Sequence, residues 1–256
     1  MKQHAKTARK QSQSGIYHVI LRGINKQVIF EDEQDKERFM WCLHYYKEVG
    51  QYKIYGYCLM NNHIHLLIKE GNELIAKTMK RIGVSYVSWF NRKYGRCGPL
   101  FQDRFKSEVV ESDEYFLMVL RYIHQNPLKT GEVKKMSDYH WSSYQGYFGY
   151  SNLVDTDFAM DMFSSDPEIA VRRFEKFMNE KTEDAGVMVY GMYKLTDLEA
   201  RLAIQETAKL TVATELQTME KQKRDEILRK IKQINGISTR QIARLTGITQ
   251  SVIVRA

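Results

Sequence analysis

Two apolar runs, KIYGYCLM (53–60) and HIHLLIK (63–69), stand only two residues apart, and this closeness constrains the chain more than any other feature. The residues between them, Asn61 and Asn62, are turn formers, so the chain is expected to double back here as a pair of strands. In an extended strand alternate side chains share a face. Ile64, Leu66 and Ile68 then form an ordinary core face. His63 and His65 fall side by side on the other face, where Val or Ile would be the usual filling. Taken alone, such a pair fits two surface imidazoles as well as it fits two ligands of a metal.

The flanking segments alternate in type. IYHVILRG (16–23) reads as a strand, and 33–49 has helical spacing with Phe39, Cys42, Leu43 and Tyr46 on one face. Asn72 is a candidate cap for a helix whose stripe is Ile75, Met79, Ile82, Tyr86 and Trp89. DRFKSEVVE (103–111) reads as a further strand, and Ser112 or Asp113 caps another helix. That helix is expected to end near Asn126, because Pro127 disfavours helical geometry in the residue before it. The order β-α-β-β-α-β predicts an α+β, ferredoxin-like sheet with helices on one face and the other face free for a site or a partner.

Around this domain, expected over 15–150, the sequence places a disordered basic arm (1–14), a helical connector (151–199) and a helical C-terminal part (200–256). Residues 128–150 are aromatic and turn-rich, an extension expected to pack on the domain; from 151 to about 185 the chain turns acidic. The final stretch, GISTRQIARLTGITQSVIVRA, has Ser238 as a cap, small Ala243, Gly247 at a turn and apolar Ile253 beyond it. This is the spacing of a helix-turn-helix in which Thr249, Gln250, Ser251 and Arg255 would start or line a recognition helix. A helical hairpin that merely packs on the rest of the chain has the same pattern.

Charge narrows the partners. The formal net charge is +8, and between Lys77 and Lys106 lie Lys77, Lys80, Arg81, Arg92, Lys93, Arg96, Arg104 and Lys106 against Asp103 alone. Tyr86, Trp89, Phe90, Tyr94, Phe101 and Phe105 are interleaved with them. Cations follow phosphates and aromatic rings stack on unpaired bases, so the mixture suits single-stranded nucleic acid, although core aromatics under a basic helix look alike in sequence. No apolar run approaches the ~20 residues that cross a bilayer. The basic, polar start is not followed by an apolar stretch, so no secretory signal is expected. Three scattered cysteines without a CxxC pair argue against a disulfide frame and a zinc ribbon, and make the cytoplasm the expected compartment.

A third group is needed for the two histidines to do chemistry. In LRYIHQNPLKTG (120–131), Tyr122 and Asn126 are one helical turn apart and share a face. Histidines and an amide oxygen could hold a divalent ion that polarises a phosphodiester, and tyrosine could then act as a nucleophile. The plainer reading makes Tyr122 a half-buried aromatic and Asn126 a helix terminus. Tyr115, two turns earlier on the same helical face, is the rival nucleophile, while His18 and His140 read as structural or surface groups.

MNNHIHLLI, GPLFQDRFKS and YIHQNPLKTG, in this order and separation, closely resemble the single-tyrosine HUH transposases, and within them the REP-associated tyrosine transposases of bacteria. The resemblance covers roughly residues 15–145. It implies a ferredoxin-like HUH endonuclease domain and metal-dependent cleavage and rejoining of single-stranded DNA, often near a hairpin, through a 5′-phosphotyrosine and a free 3′-hydroxyl. Residue by residue, His63 and His65 match the metal-binding histidines, Tyr122 the nucleophile and Asn126 the third ligand. The implied cofactor is Mg²⁺ or Mn²⁺, and the implied setting is a bacterial cytoplasm at the nucleoid. Arg92, Lys93, Arg96, Arg104 and Lys106 are the candidate DNA contacts of the domain, and monomer and homodimer both stay open. A non-catalytic DNA-binding regulator is the alternative, and RNA binding a weaker one, because the strands lack a glycine-aromatic RNP pattern.

Overall fold

The structure, a computed structural model, describes residues 10–149, 153–180, 197–232, 234, 237 and 239–255. The chain divides into two compact units, Met1–Val187 and Met188–Ala256. Among the described residues no helix is long and apolar enough to cross a membrane.

The first unit is built on β1 (Ile16–Arg22), α1 (Glu33–Gly50), β2 (Lys53–Met60), β3 (His63–Lys69), α2 (Ile75–Lys93), β4 (Lys106–Val109) and α3 (Asp113–Lys129). The strands pair in the order β2-β3-β1-β4, all antiparallel, which is the ferredoxin-like arrangement. The Asn61–Asn62 turn sets β2 against β3 with Met60 opposite His63 and Cys58 opposite His65.

One face of the sheet carries α1 and α2. Val19, Leu21, Ile64, Leu66 and Ile68 point that way with Phe39, Leu43, Ile82, Tyr86 and Phe90 beneath the helices, all buried. Each such aliphatic side chain removed from water contributes roughly 1.5–3 kcal/mol. Asp32 caps α1 in a reciprocal box with Asp35. The start of α2 differs from expectation: Leu74 precedes it without a side-chain cap, and the Ile75 amide donates instead to the Glu70 carboxylate at 2.5 Å. A carboxylate from the end of β3 thus does the work foreseen for Asn72. The strand foreseen over 103–111 is shorter, four residues, and pairs with β1 alone.

The other face carries α3. Ser112 caps it, accepting from the Tyr115 amide, and the helix runs through Pro127 to Lys129 rather than stopping at Asn126. A proline in the last turn forfeits one hydrogen bond, and here Asn126 is held helical by its surroundings: it is buried, and its carbonyl accepts from both the Thr130 amide and hydroxyl. Gly56 of β2 lets this helix come close, since a Cβ there would sit 2.8 Å from a Leu120 methyl.

The aromatic extension packs on the same unit. Its backbone pairs with the outer edge of β2, Leu59 N–H to Trp141 O at 2.8 Å and Ser143 N–H to Tyr57 O at 2.9 Å. The segment read as a connector, 151–199, is not a bare link over its described first part. There α4 (Asp157–Asp161) and α5 (Pro167–Asn179) belong to the first unit, with α5 against α3: Gln125 donates to Met178 O at 2.7 Å, and Phe174 stacks on Tyr147 with centroids 4.4 Å apart. Residues 181–196 lie outside the described residues. So do 1–9 of the arm foreseen as disordered, whereas its last residues are tied down: Gln13 and Ser14 amides both donate to the Glu111 carboxylate at 3.0 Å.

The second unit contains α6 (Asp197–Ala208), α7 (Lys221–Lys232), α8 (Thr239–Thr246) and α9 (Gln250–Arg255). Ile204, Leu216, Leu228, Ile231, Ile242 and Ile253 form its core. Between α8 and α9 the chain turns at Gly247, whose φ of +73° is a conformation glycine adopts without strain. Ser238, foreseen as a cap, lies outside the described residues.

Candidate active site

His63 and His65 project from β3 toward α3, and one turn of α3 brings Tyr122 and Asn126 to meet them. The Asn126 amide lies between the two rings, its Oδ1 3.4 Å from His63 Nε2 and its Nδ2 3.5 Å from His65 Nε2. The Tyr122 ring stands edge-on to His65, centroids 5.4 Å apart. All four side chains are buried.

The far nitrogens of both histidines are also engaged. His63 Nδ1 is 2.6 Å from Asn62 Oδ1, and His65 Nδ1 is 3.0 Å from His18 Nε2. Asn62 Oδ1 can only accept, so His63 keeps its proton on Nδ1 and presents the Nε2 lone pair toward Asn126. His18 can impose the same on His65 by accepting. An acceptor behind each imidazole is the arrangement that orients histidines for a metal. Burial holds the rings neutral: it pushes His63 down to about 4, with help from the nearby Arg22 charge. His65 falls well below the ordinary value through burial and its histidine neighbours, and burial takes His18 to about 3. Neutral imidazoles with Nε2 turned inward, together with an amide oxygen, can serve as ligands of a divalent ion. Among the described residues no group of three or more His, Cys, Asp or Glu side chains is placed to hold a metal, and the Asn126 amide oxygen is the candidate third donor beside the two histidines.

Three residues at the site were not singled out in sequence. His18 was read as structural; β1 register puts it on the histidine face, stacked on His65 at 5.2 Å. Arg22, opposite His63 in the same register, brings a cation to that face. Lys129 sets its ammonium 4.8 Å from the centroid of the Tyr122 ring. The alternation Ile16, His18, Ile20, Arg22 in β1 was legible; which face it met was not.

The rival nucleophile is occupied, for Tyr115 hydroxyl donates to the Glu108 carboxylate of β4. Of the candidate DNA contacts, Lys106 shares the histidine face, two strands from His65 through Ile20. Arg104 is exposed beside Phe101 and Phe105, and Arg96 reaches Gln27 Oε1 at 3.2 Å. Arg92 is exposed on α2. Lys93 is committed elsewhere: its ammonium lies 2.7 Å from Asp32 and 2.9 Å from Asp35, which ties α2 to the cap of α1. In the second unit Thr249, Gln250, Ser251 and Arg255 are all exposed along the start and outer side of α9.

Residues 11–126, a little under half of the chain, match the family model described as "Transposase IS200 like". Among solved structures the chain is similar to that of a REP-associated tyrosine transposase bound to a REP hairpin, with 17% identity and a TM-score of 0.50, over 60% of this chain and 96% of that one. No curated protein sequence matches it.

Proposed function

We propose that this chain, whose residues 11–126 form an IS200-like transposase domain, cuts and rejoins single-stranded DNA with Tyr122 as its nucleophile. The observation that carries the reading is the convergence of His63, His65, Asn126 and Tyr122 from two elements far apart in sequence onto one buried spot. A structural role for any one of them needs no such meeting.

Tyr122 Oη attacks the phosphorus; the Tyr–O–P bond forms as the bond to the 3′ oxygen breaks, and the phenolic proton ends on the released 3′-hydroxyl. The ester so formed keeps the 5′ end attached, and a 3′-hydroxyl attacking it reverses the step. Lys129, over the Tyr122 ring, favours the phenolate during attack. Arg22 and Lys106 lie on the same face, where they can meet phosphates. His63, His65 and Asn126 would hold a divalent ion, Mg²⁺ or Mn²⁺, which would supply Lewis-acid polarisation of the phosphodiester oxygen. Asn62 and His18 keep those imidazoles turned toward Asn126.

A hairpin target and a role for the second unit belong to the same reading. The exposed Thr249, Gln250, Ser251 and Arg255 suit groove or backbone contacts to a duplex stem. Arg92, Arg96 and Arg104 suit the phosphates of the neighbouring strand. The test is a 5′-end-labelled library of single-stranded hairpins incubated with wild type and Tyr122→Phe, with Mn²⁺ or EDTA. A metal-dependent covalent adduct lost in Tyr122→Phe is expected. Binding without adduct under any metal would overturn the nuclease and leave a DNA-binding regulator.

A further inference from the structure

The side of the first unit away from the histidines carries a basic groove. Between α1 and α2 lies an open groove of about 610 Å³ lined by Arg38, Lys77, Lys80, Arg81 and Arg92, and no Asp or Glu is among its lining residues. Along α2 the cations run from Lys77 to Arg92, about 22 Å of helix at 1.5 Å per residue. Lys77, Lys80 and Arg81 cluster within the first turns of α2, Arg92 lies three turns further on, and Arg38 of α1 reaches Ser85 between them. The nearest carboxylate partner is Glu73, which takes Arg81 at 2.7 Å and Lys77 at 3.1 Å. Among the described residues Arg38, Lys80 and Arg92 make no ion pair.

Arg38 is held in place. It donates to Ser85 Oγ at 3.2 Å and lies flat over the exposed Trp41, 3.9 Å from the ring centroid. Trp41 in turn stacks on the exposed Tyr45 at 4.9 Å and 11°. That stack lies beside the groove and braces Arg38, while Tyr46 and Trp89, both half-buried, line the groove itself. What the groove offers above all is five cations with no carboxylate among its lining residues. Such a set meets phosphates and reads no sequence.

We propose that this groove binds the sugar–phosphate backbone of DNA outside the segment being cut, the paired stem of the substrate, irrespective of its sequence. The sheet lies between groove and nucleophile, because Leu21 and Ile64 face α2 while His63 and His65 face α3. One substrate therefore touches both sides of the domain only by passing around an edge of the sheet. At ~3.4 Å per phosphate along one strand, 22 Å of helix matches roughly six phosphates. The inference rests on the reading that DNA is the substrate.

The test measures the affinity of the full chain for a labelled hairpin with an unpaired tail, and for the same hairpin with a scrambled stem, across a salt series. Arg38→Gln/Lys80→Gln is expected to reduce the slope of log K against log salt by about 2, and to weaken both hairpins equally, roughly 10- to 100-fold at ~0.1 M salt. Lys77→Gln/Lys80→Gln changes only exposed side chains and keeps the test valid if the Arg38 variant unfolds. An unchanged slope in both variants overturns the groove, and so does a loss confined to one stem sequence. Adduct formation by the wild type is scored in parallel. A reduced slope without any adduct would keep the groove while the nuclease falls; an adduct with an unaltered slope would do the reverse.

Discussion

His65 and His124 are both fully buried, both held neutral by burial and both within reach of α3, yet their surroundings differ in kind. His124 points away from the histidine face. It meets Ser143 Oγ at 2.7 Å and is ringed by Tyr144, Tyr147 and Phe174 at 5.5–6.2 Å. These partners come from the aromatic extension and α5, and the hydrogen bond to Ser143 fastens that extension to the helix. His65 instead has the His18 ring nitrogen behind it, an amide in front, and a tyrosine at its edge. Burial and a lowered pKa are common to both, so neither marks a site. Convergent lone pairs do.

Breaking that contrast starts with the ligand itself. His65→Ala is expected to reduce Mn²⁺-dependent adduct formation by more than about 100-fold, since loss even of an outer partner costs 10- to 100-fold. Adduct surviving at wild-type rates would make His65 no more than another packed histidine. His124→Ala should do the opposite. It empties a packed cage, for a loss of about 2–4 kcal/mol in urea denaturation, with adduct formation at low temperature within about threefold of wild type. If the adduct vanished while stability held, His124 would have to join the chemistry.

A finer distinction separates His18 from both. It is buried like His124, but its partner is His65 Nδ1. Replacing it by Leu should lower Mn²⁺ affinity, read by titration calorimetry, by about 10- to 100-fold. His18→Gln, which keeps an acceptor, should recover part of that loss. Equal affinities in Leu and Gln variants would reduce His18 to packing. The smallest effect is foreseen for Tyr115→Phe, which removes the hydroxyl that donates to Glu108 of β4. Adduct yield is expected within about twofold; a collapse would move the nucleophile to Tyr115.

How much of this was legible in sequence follows from the range of the forces involved. β2 and β3 stand at the boundaries their alternation gave, because strand period and a two-residue Asn turn are local. The pair Tyr122–Asn126 was legible for the same reason, being one turn of one helix. Local rules failed where tertiary contacts overrode them. Pro127 was read as a stop, but the packing around Asn126 carries the helix on to Lys129. Lys93 reads as a DNA contact because 77–106 holds no carboxylate but Asp103, while Asp32 and Asp35, some sixty residues earlier, claim it in space. His18 and Arg22 were passed over because their meaning lies in the β1–β3 register, which pairs residues more than forty positions apart.

The backbone pairing of Trp141 and Ser143 with the rim of β2 also sets the smallest piece of this chain that can behave as a protein. A fragment trimmed to the matched span, 11–126, would carry a raw strand edge at Tyr57 and Leu59, since the segment that hydrogen-bonds there is gone. It would also uncover the outer side of α3, stripping His124 of the aromatic rings of Tyr144, Tyr147 and Phe174. Unpaired edges and bare aromatic surface are templates for self-association. The workable truncation point therefore lies beyond Asn179, at the end of α5, and an excised catalytic fragment shorter than that is fated to clump.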